Sequence, residues 1–256
     1  MLGIINKAVT WVQYQFLVAF GRLRGHGRGE PSPAADGFSN DDLRGYPNNH
    51  NYRIDDGRLI PNFNLFWRAA RLQPLYTKEV GSLLDIGSAR GWFVLEAART
   101  PGCRLAVGID IFEPWIELSR KVAKKLACDN ARFHYGFLTD LAGDPDTLGA
   151  PFDNILIINT YHYLFWGSGL SDKRFDDHDA AIAALARICS GRVIFANPLD
   201  LPDVPRETRD IAALEPERAK TYTTEAFTRA ARRHFDVEPH GTIGKRTLLV
   251  LKKRTD

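Results

Sequence analysis

The residue types best suited to chemistry begin at positions 83–92, which read Leu-Leu-Asp-Ile-Gly-Ser-Ala-Arg-Gly-Trp. An apolar run carrying Asp85 ends in a turn flanked by Gly87 and Gly91, and a helical pattern opens at Trp92. Glycine at such a turn lets the backbone approach a ligand, and the amides that open a helix point at it. A plain strand-to-helix turn uses glycine in the same way, so the segment needs a second signal. Leu105-Ala106-Val107-Gly108-Ile109-Asp110 supplies one, an apolar run closed by a carboxylate 25 residues after Asp85. At the carboxyl edge of a doubly wound sheet, Asp110 would sit beside the ligand crevice and could accept two hydrogen bonds from the vicinal hydroxyls of a ribose. Its alternative role is to cap the helix that opens near Glu113. A dinucleotide turn uses G-x-G-x-x-G to admit a pyrophosphate. Here Trp92 and Phe93 crowd the first helical turn instead, which favours a nucleoside ligand without a pyrophosphate.

The third group is Asn159-Thr160-Tyr161-His162-Tyr163-Leu164-Phe165-Trp166, which leaves the fourth apolar run at the same edge. His162 titrates near neutrality and is the candidate general base; the alternative is a structural histidine supporting the pocket. Tyr161, a second catalytic candidate, forms with Tyr163 and Trp166 either an aromatic wall for an acceptor or a core beneath a lid. Asp176, Asp177, His178 and Asp179 look metal-like but immediately precede the helical stretch AAIAALARI, so capping and the helix dipole account for them. His26, His50, His134, His234 and His240 show no ligand spacing. Cys103, Cys128 and Cys189 form no CxxC pair, and no metal site is expected. Reduced thiols point to the cytoplasm.

These residues need a scaffold of alternating strands and helices. Strand patterns fall at Ser82–Ile86, Arg104–Asp110, Arg132–Phe137, Phe152–Asn159 and Arg192–Ala196. Helical patterns fall at Asn64–Leu72, Trp92–Arg99, Pro114–Ala127, Asp179–Cys189 and Thr224–Arg233. The alternation predicts parallel strands joined by right-handed crossovers, and the continuous apolar runs predict helices on both faces. Phe235–His240 and Arg246–Lys252, around a GTIGK turn, predict a closing hairpin with an antiparallel strand.

The front of the chain differs. Leu2, Ile5, Val9, Val12, Phe16 and Phe20 recur at helical spacing, followed by the Gly-, Pro- and Arg-rich GRLRGHGRGEPSPAADG. Residues 38–61 read as polar and turn-rich. The division expected is therefore an amphipathic helix and flexible linker over residues 1–60, then a catalytic domain over 61–256. The helix packs on the domain or a second subunit, or residues 1–30 lie peripherally on a membrane, on its inner face, their arginines beside anionic head groups. The net charge of +3 comes from this segment, and the neutral remainder does not favour a nucleic-acid partner. No transmembrane span is expected.

From residue 80 to 252 the chain resembles the class I S-adenosylmethionine-dependent methyltransferase family. The resemblance implies a Rossmann-like, three-layer α/β/α fold with seven strands in the order 3-2-1-4-5-7-6, the seventh antiparallel. It implies that Asp85, Gly87, Ser88, Ala89 and Gly91 surround the methionine portion of S-adenosylmethionine, that Asp110 holds the ribose, and that Ile111 packs on the adenine. Ala89 replaces the family's middle glycine. Phe137, followed by Leu138, stands where the family often has an acid for the adenine amino group, which leaves adenine to backbone amides or Asp140. Asn159 would border the methyl group. The activity implied is transfer of a methyl group to a small or lipid-linked acceptor, with S-adenosylhomocysteine as product. The alternatives are an RNA-base methyltransferase, or a cofactor-binding sensor without turnover.

Overall fold

The computed structural model of the 256-residue chain describes residues 37–45, 47–76 and 80–254. The expected helix over residues 2–20 and the first part of the linker lie outside the described residues.

The first described elements form a hairpin, β1 (Tyr52–Asp55) and β2 (Arg58–Pro61), paired antiparallel across Asp56-Gly57. Helix α1 (Phe63–Leu72) follows, started by the Asn62 side chain, which accepts from the Leu65 amide at 2.9 Å. Then come β3 (Ser82–Ile86), α2 (Trp92–Ala98), β4 (Leu105–Asp110), α3 (Glu113–Lys125), β5 (Ala131–Tyr135), the short α4 (Leu138–Leu141) and β6 (Phe152–Ile158). The second half continues with α5 (Tyr161–Trp166), α6 (His178–Ile188), β7 (Cys189–Asn197), α7 (Arg206–Ala213), α8 (Pro216–Ala219), α9 (Thr224–Ala231), β8 (Phe235–Ile243) and β9 (Arg246–Lys253).

Seven strands make one sheet in the order β5-β4-β3-β6-β7-β9-β8. The pairings of β3, β4, β5, β6 and β7 are parallel, and β9 runs antiparallel to both β7 and β8. This is the strand order the resemblance implies. The two faces follow from the two-residue period of the strands. Leu84, Ile86, Val107, Ile109, Ile155 and Ile157 face one layer with Phe165 of α5, Ile182 of α6 and Phe227 of α9. Leu83, Ala106, Leu156, Ile158 and Ile194 face the other, with Leu65 of α1, Phe93 of α2 and Val122 of α3. Burial on both faces is why β3 and β6 read as nearly continuous apolar runs.

The expected boundary at residue 60 is not followed by the packing. Phe38, Leu43, Tyr52, Leu59 and Ile60 are buried, and all but Ile60 belong to the same apolar cluster as α1, α2 and α3. The Tyr52 hydroxyl donates to the Arg90 carbonyl at 2.6 Å. The part of the segment from residue 38 onward is thus a packed strap across the second layer rather than linker. No helix of the described residues is long and apolar enough to cross a membrane.

Candidate active site

The sheet reverses its winding between β3 and β6, and the loops leaving β3, β4 and β6 meet at that carboxyl edge, where ligands bind in open α/β sheets. The loop after β3 is pinned to β4: the Gly87 and Ser88 amides both donate to the Ile109 carbonyl, at 2.9 and 3.0 Å. Gly87 has φ +77°, and a Cβ there would lie 2.3 Å from Thr160 Oγ1, so only glycine lets this loop pass the one after β6. Gly91 has φ +75°, and its Cβ would lie 2.6 Å from the Phe133 ring, so this glycine serves the packing of α2 on β5. Ala89 takes φ +48°, a left-handed conformation costing an L-residue about 1–2 kcal/mol.

Asp110 ends β4 with its carboxylate aimed at this loop. Oδ2 accepts from the Ala89 amide at 2.8 Å and Oδ1 from the Phe112 amide at 2.9 Å. Burial raises its pKa, and the bonds from Ala89, Phe112 and Ile111 oppose that rise. Each carboxylate oxygen keeps a further lone pair. Asp110 forms part of the wall of a cavity of about 500 Å³ with Gly87, Ala89, Ile111, Phe137, Leu138 and Asn159. The same cavity touches His50, Phe112, Trp115, Thr160, Tyr163, Lys173 and Glu207. Seven of the expected cofactor residues are thus brought to one hollow.

Three others are not on its wall. Asp85 shares the strand face of Leu83 and interacts with Arg68 of α1; burial raises its carboxyl to about 7, and Arg68 and then Asp110 modify that. Ser88 is buried beneath the loop, its Oγ 2.8 Å from where a Gly108 Cβ would be. Gly91 packs on Phe133 as described. All three shape the loop from behind.

The catalytic expectation for Tyr161 and His162 is corrected. Tyr161 is fully buried, its hydroxyl bound to His178 Nδ1 at 2.6 Å and its ring packed against His178, Phe195 and Phe227. His162 is also fully buried, and neither ring nitrogen has a hydrogen-bond partner among the described residues. Burial, and then the charge of Arg246, pushes its pKa down to about 3. The physical reason is helical: α5 starts at Tyr161 and turns its first two side chains inward, leaving Tyr163 and Leu164 on the cavity. Asp177 caps α6, accepting from the Ala180 amide at 2.8 Å. Among the described residues no group of three His, Cys, Asp or Glu could hold a metal ion.

His50, Trp115, Lys173 and Glu207 were not singled out by sequence as cavity residues. Phe112 and Trp115 follow Asp110 closely, and their rings pack edge to face at 4.9 Å. Lys173 pairs with Asp140 and lies over the Phe137 ring at 4.9 Å, while Glu207 accepts from the Gly169 amide at 2.6 Å. The 167–175 loop is thereby tied to both sides of the cavity mouth. Asp140 is spent on Lys173 and is not on the cavity wall.

No protein-family model matches the sequence, and no curated protein matches it. Solved structures do match. PH0226 from Pyrococcus horikoshii OT3 is similar over 75% of this chain and 92% of its own, with a TM-score of 0.52 and 20% identity. The bifunctional kinase-methyltransferase WbdD is similar over 78% of this chain and 40% of its own, with a TM-score of 0.51 and 18% identity. At such identities the likeness bears on the fold. With the strand order and the reversed β9, the described chain has the Rossmann-like fold of the class I S-adenosylmethionine-dependent methyltransferases.

Proposed function

We propose that the protein transfers a methyl group from S-adenosylmethionine to a small or lipid-linked acceptor. The observation that carries this reading is the Asp110 carboxylate, fixed by two backbone amides on the wall of a cavity that also holds Gly87 and Asn159. The cavity volume lies within the roughly 300–1,000 Å³ of small-ligand pockets. The residues fit an adenosyl ligand. Asp110 would take the ribose hydroxyls, and Ile111, Phe112, Trp115, Phe137 and Leu138 give an apolar slot for a flat base. The Gly87 backbone and Asn159 would border the chain beyond the ribose. Gly91 packs on Phe133, with Trp92 and Phe93 buried behind it, so the second glycine of the turn serves the core rather than the approach of a pyrophosphate.

S-adenosylmethionine supplies an electrophilic methyl group on a sulfonium. The protein's part is to orient, to approximate and to exclude water, effects worth about 7–11 kcal/mol in favourable cases. Asn159 is held for this by φ +56° and by Arg246, whose Nε donates to Oδ1 at 2.8 Å. Tyr163, Leu164, Leu170 and Pro205 also line the cavity, and these would face an acceptor. Leu170 is 68% exposed, and a surface hollow lined by Ile211 and Leu214 adjoins the cavity at Gly169 and Glu207. That apolar margin supports an acceptor with hydrocarbon character. A cytoplasmic protein whose residues 1–30 rest on a membrane accords with such an acceptor.

Thermal shift with S-adenosylmethionine, S-adenosylhomocysteine and NAD tests the cofactor class. Stabilisation by the first two is expected; stabilisation by NAD alone defeats the proposal. Profiling extracts with a labelled methyl donor identifies the acceptor, and cofactor binding without label transfer would indicate a sensor.

A further inference from the structure

Asn159 is held from two sides. Its backbone amide donates to the Ala196 carbonyl at 2.9 Å. The next two amides, of Thr160 and Tyr161, both donate to Asn197 Oδ1, at 2.7 and 2.8 Å. Asn197 is fully buried and in turn donates to the Ile157 carbonyl at 2.6 Å. The end of β7 thus pins the turn, while the start of β9 pins the side chain through Arg246 Nε, which donates to Asn159 Oδ1 at 2.8 Å. A guanidinium only donates, so the atom it holds must be the amide oxygen, and the two ends of the amide cannot exchange. Asn159 Nδ2 makes no hydrogen bond to a described residue and is accessible, and the residue lies on the cavity wall. What Asn159 turns to a ligand is therefore its N–H donors.

Donors select among nucleophiles. A neutral amine has one lone pair, which must attack the methyl carbon; nothing is left to accept a hydrogen bond, and its own N–H groups need acceptors. An oxygen nucleophile attacks with one lone pair and accepts with another. The carboxylate and imidazole groups on the cavity wall are already engaged: Asp110 by two amides, Glu207 by the Gly169 amide, and His50 by Arg68, whose terminal nitrogens face its ring nitrogens at 3.5 and 3.4 Å. Burial, and then Arg68, Arg90 and Arg246, hold the His50 pKa well below 6.5, which makes it a weak base. A hydroxyl acceptor would have to shed a proton onto such a group, whereas a carboxylate arrives without one.

We propose that Arg246 is a positioning residue that turns the Asn159 amide toward an oxygen nucleophile, and that the methyl acceptor is a carboxylate on an apolar body. The inference rests on the proposed function and names its acceptor class. One carboxylate oxygen attacks the methyl carbon while the carboxylate accepts from Asn159 Nδ2. The carbon–sulfur bond breaks and its electron pair stays on sulfur, giving a methyl ester and S-adenosylhomocysteine. The negative carboxylate and the positive sulfonium neutralise each other, and no proton is transferred. The apolar body has Leu164, Leu170 and Pro205 to lie against.

The test is calorimetric titration of the intact chain, loaded with S-adenosylhomocysteine, with two probes of equal chain length, decanoate and decylamine. Decanoate is expected to bind at least about tenfold tighter than decylamine. Asn159→Leu removes the donors without changing charge and should weaken decanoate by about tenfold or more. Arg246→Met should weaken it severalfold, and Arg246→Lys, which keeps a donor for Asn159 Oδ1, should restore most of the loss; a merely structural role for Arg246 predicts no such rescue. Absent decanoate binding, or decanoate binding that Asn159→Leu leaves unchanged, overturns the proposal. So does transfer of a labelled methyl group to decylamine by the wild-type protein. If Asn159→Leu weakens S-adenosylhomocysteine and spares decanoate, the amide serves the cofactor and the proposal is wrong. If S-adenosylhomocysteine does not bind the wild type at all, the proposed function itself falls, while the two probes on the unloaded protein still report which way the amide points. Should Arg246→Met fail to fold, Asn159→Leu decides the matter.

Discussion

Asp110 is the residue whose removal tests the site most sharply. Its carboxylate holds the Ala89 and Phe112 amides at 2.8 and 2.9 Å and, in the proposed complex, two ribose hydroxyls as well. A hydrogen bond to a charged group contributes about 1.5–3 kcal/mol. Losing both ribose bonds in Asp110→Ala therefore removes about 3–6 kcal/mol, or roughly 10²–10⁴-fold in affinity. The same substitution strands two buried amides, at about 1–3 kcal/mol each in stability. Asp110→Asn separates the two effects. Its one carbonyl oxygen can still accept from one amide and one hydroxyl, while its amino group accepts from neither the second amide nor the second hydroxyl, so stability falls less than in Asp110→Ala while affinity falls by roughly tenfold or more. Urea unfolding reports the first effect and titration with S-adenosylhomocysteine the second. A folded Asp110→Asn protein with wild-type affinity would refute the ribose role, leaving Asp110 as a clamp for the loop.

Three further predictions concern the loop and the core. His162→Leu removes a ring that stays neutral in the fold down to a pH of about 3. The unfolded ring protonates below about 6.5, so wild-type stability is lost as pH falls through the interval from 6.5 to 3; the variant should gain about 2 kcal/mol relative to wild type between pH 7.5 and 5. Denaturant curves at the two pH values measure this, and a pH-independent difference would show that the ring is not buried neutral. Tyr161→Phe leaves His178 Nδ1 without its partner and should cost about 1–3 kcal/mol of stability; methyl transfer per folded molecule should be unchanged, and a collapse in rate at normal stability would restore Tyr161 to the mechanism. Ala89→Gly relieves the left-handed strain of about 1–2 kcal/mol but frees the unfolded chain by about 0.4–1 kcal/mol. A net gain of between about 0 and 1.6 kcal/mol in thermal unfolding is expected, and a loss would mean that the methyl's packing outweighs the strain.

The sheet was legible because its strands are buried on both faces, which leaves short, nearly continuous apolar runs such as Leu83–Ile86, interrupted only by Asp85, and Ile155–Ile158. The hairpin at residues 52–61 escaped because its short strands bury few residues, although Asp56-Gly57, with both φ values positive, is a type I′ turn signal of the kind that marks hairpins. Helix α7 was obscured by the prolines at 202 and 205, which lie just before it and set its start. Asp110 and Gly87 could be assigned to the carboxyl edge because their positions depend on where a strand ends. Tyr161 and His162 could not be placed in the same way. Their position at the end of β6 is correct, but the direction of each side chain depends on the register of a six-residue helix, and one residue of difference separates buried His162 from cavity-lining Tyr163. His50 carries no local signal; it reaches the cavity only because the strap folds over α1.

The most direct measurement is a crystal structure of the intact protein with S-adenosylhomocysteine. The ribose hydroxyls should lie within about 2.5–3.2 Å of the Asp110 carboxylate oxygens, the adenine among Ile111, Phe137 and Leu138, and the sulfur facing Asn159. A nucleoside seated elsewhere on the molecule, with Asp110 contacting only Ala89 and Phe112, would contradict the account.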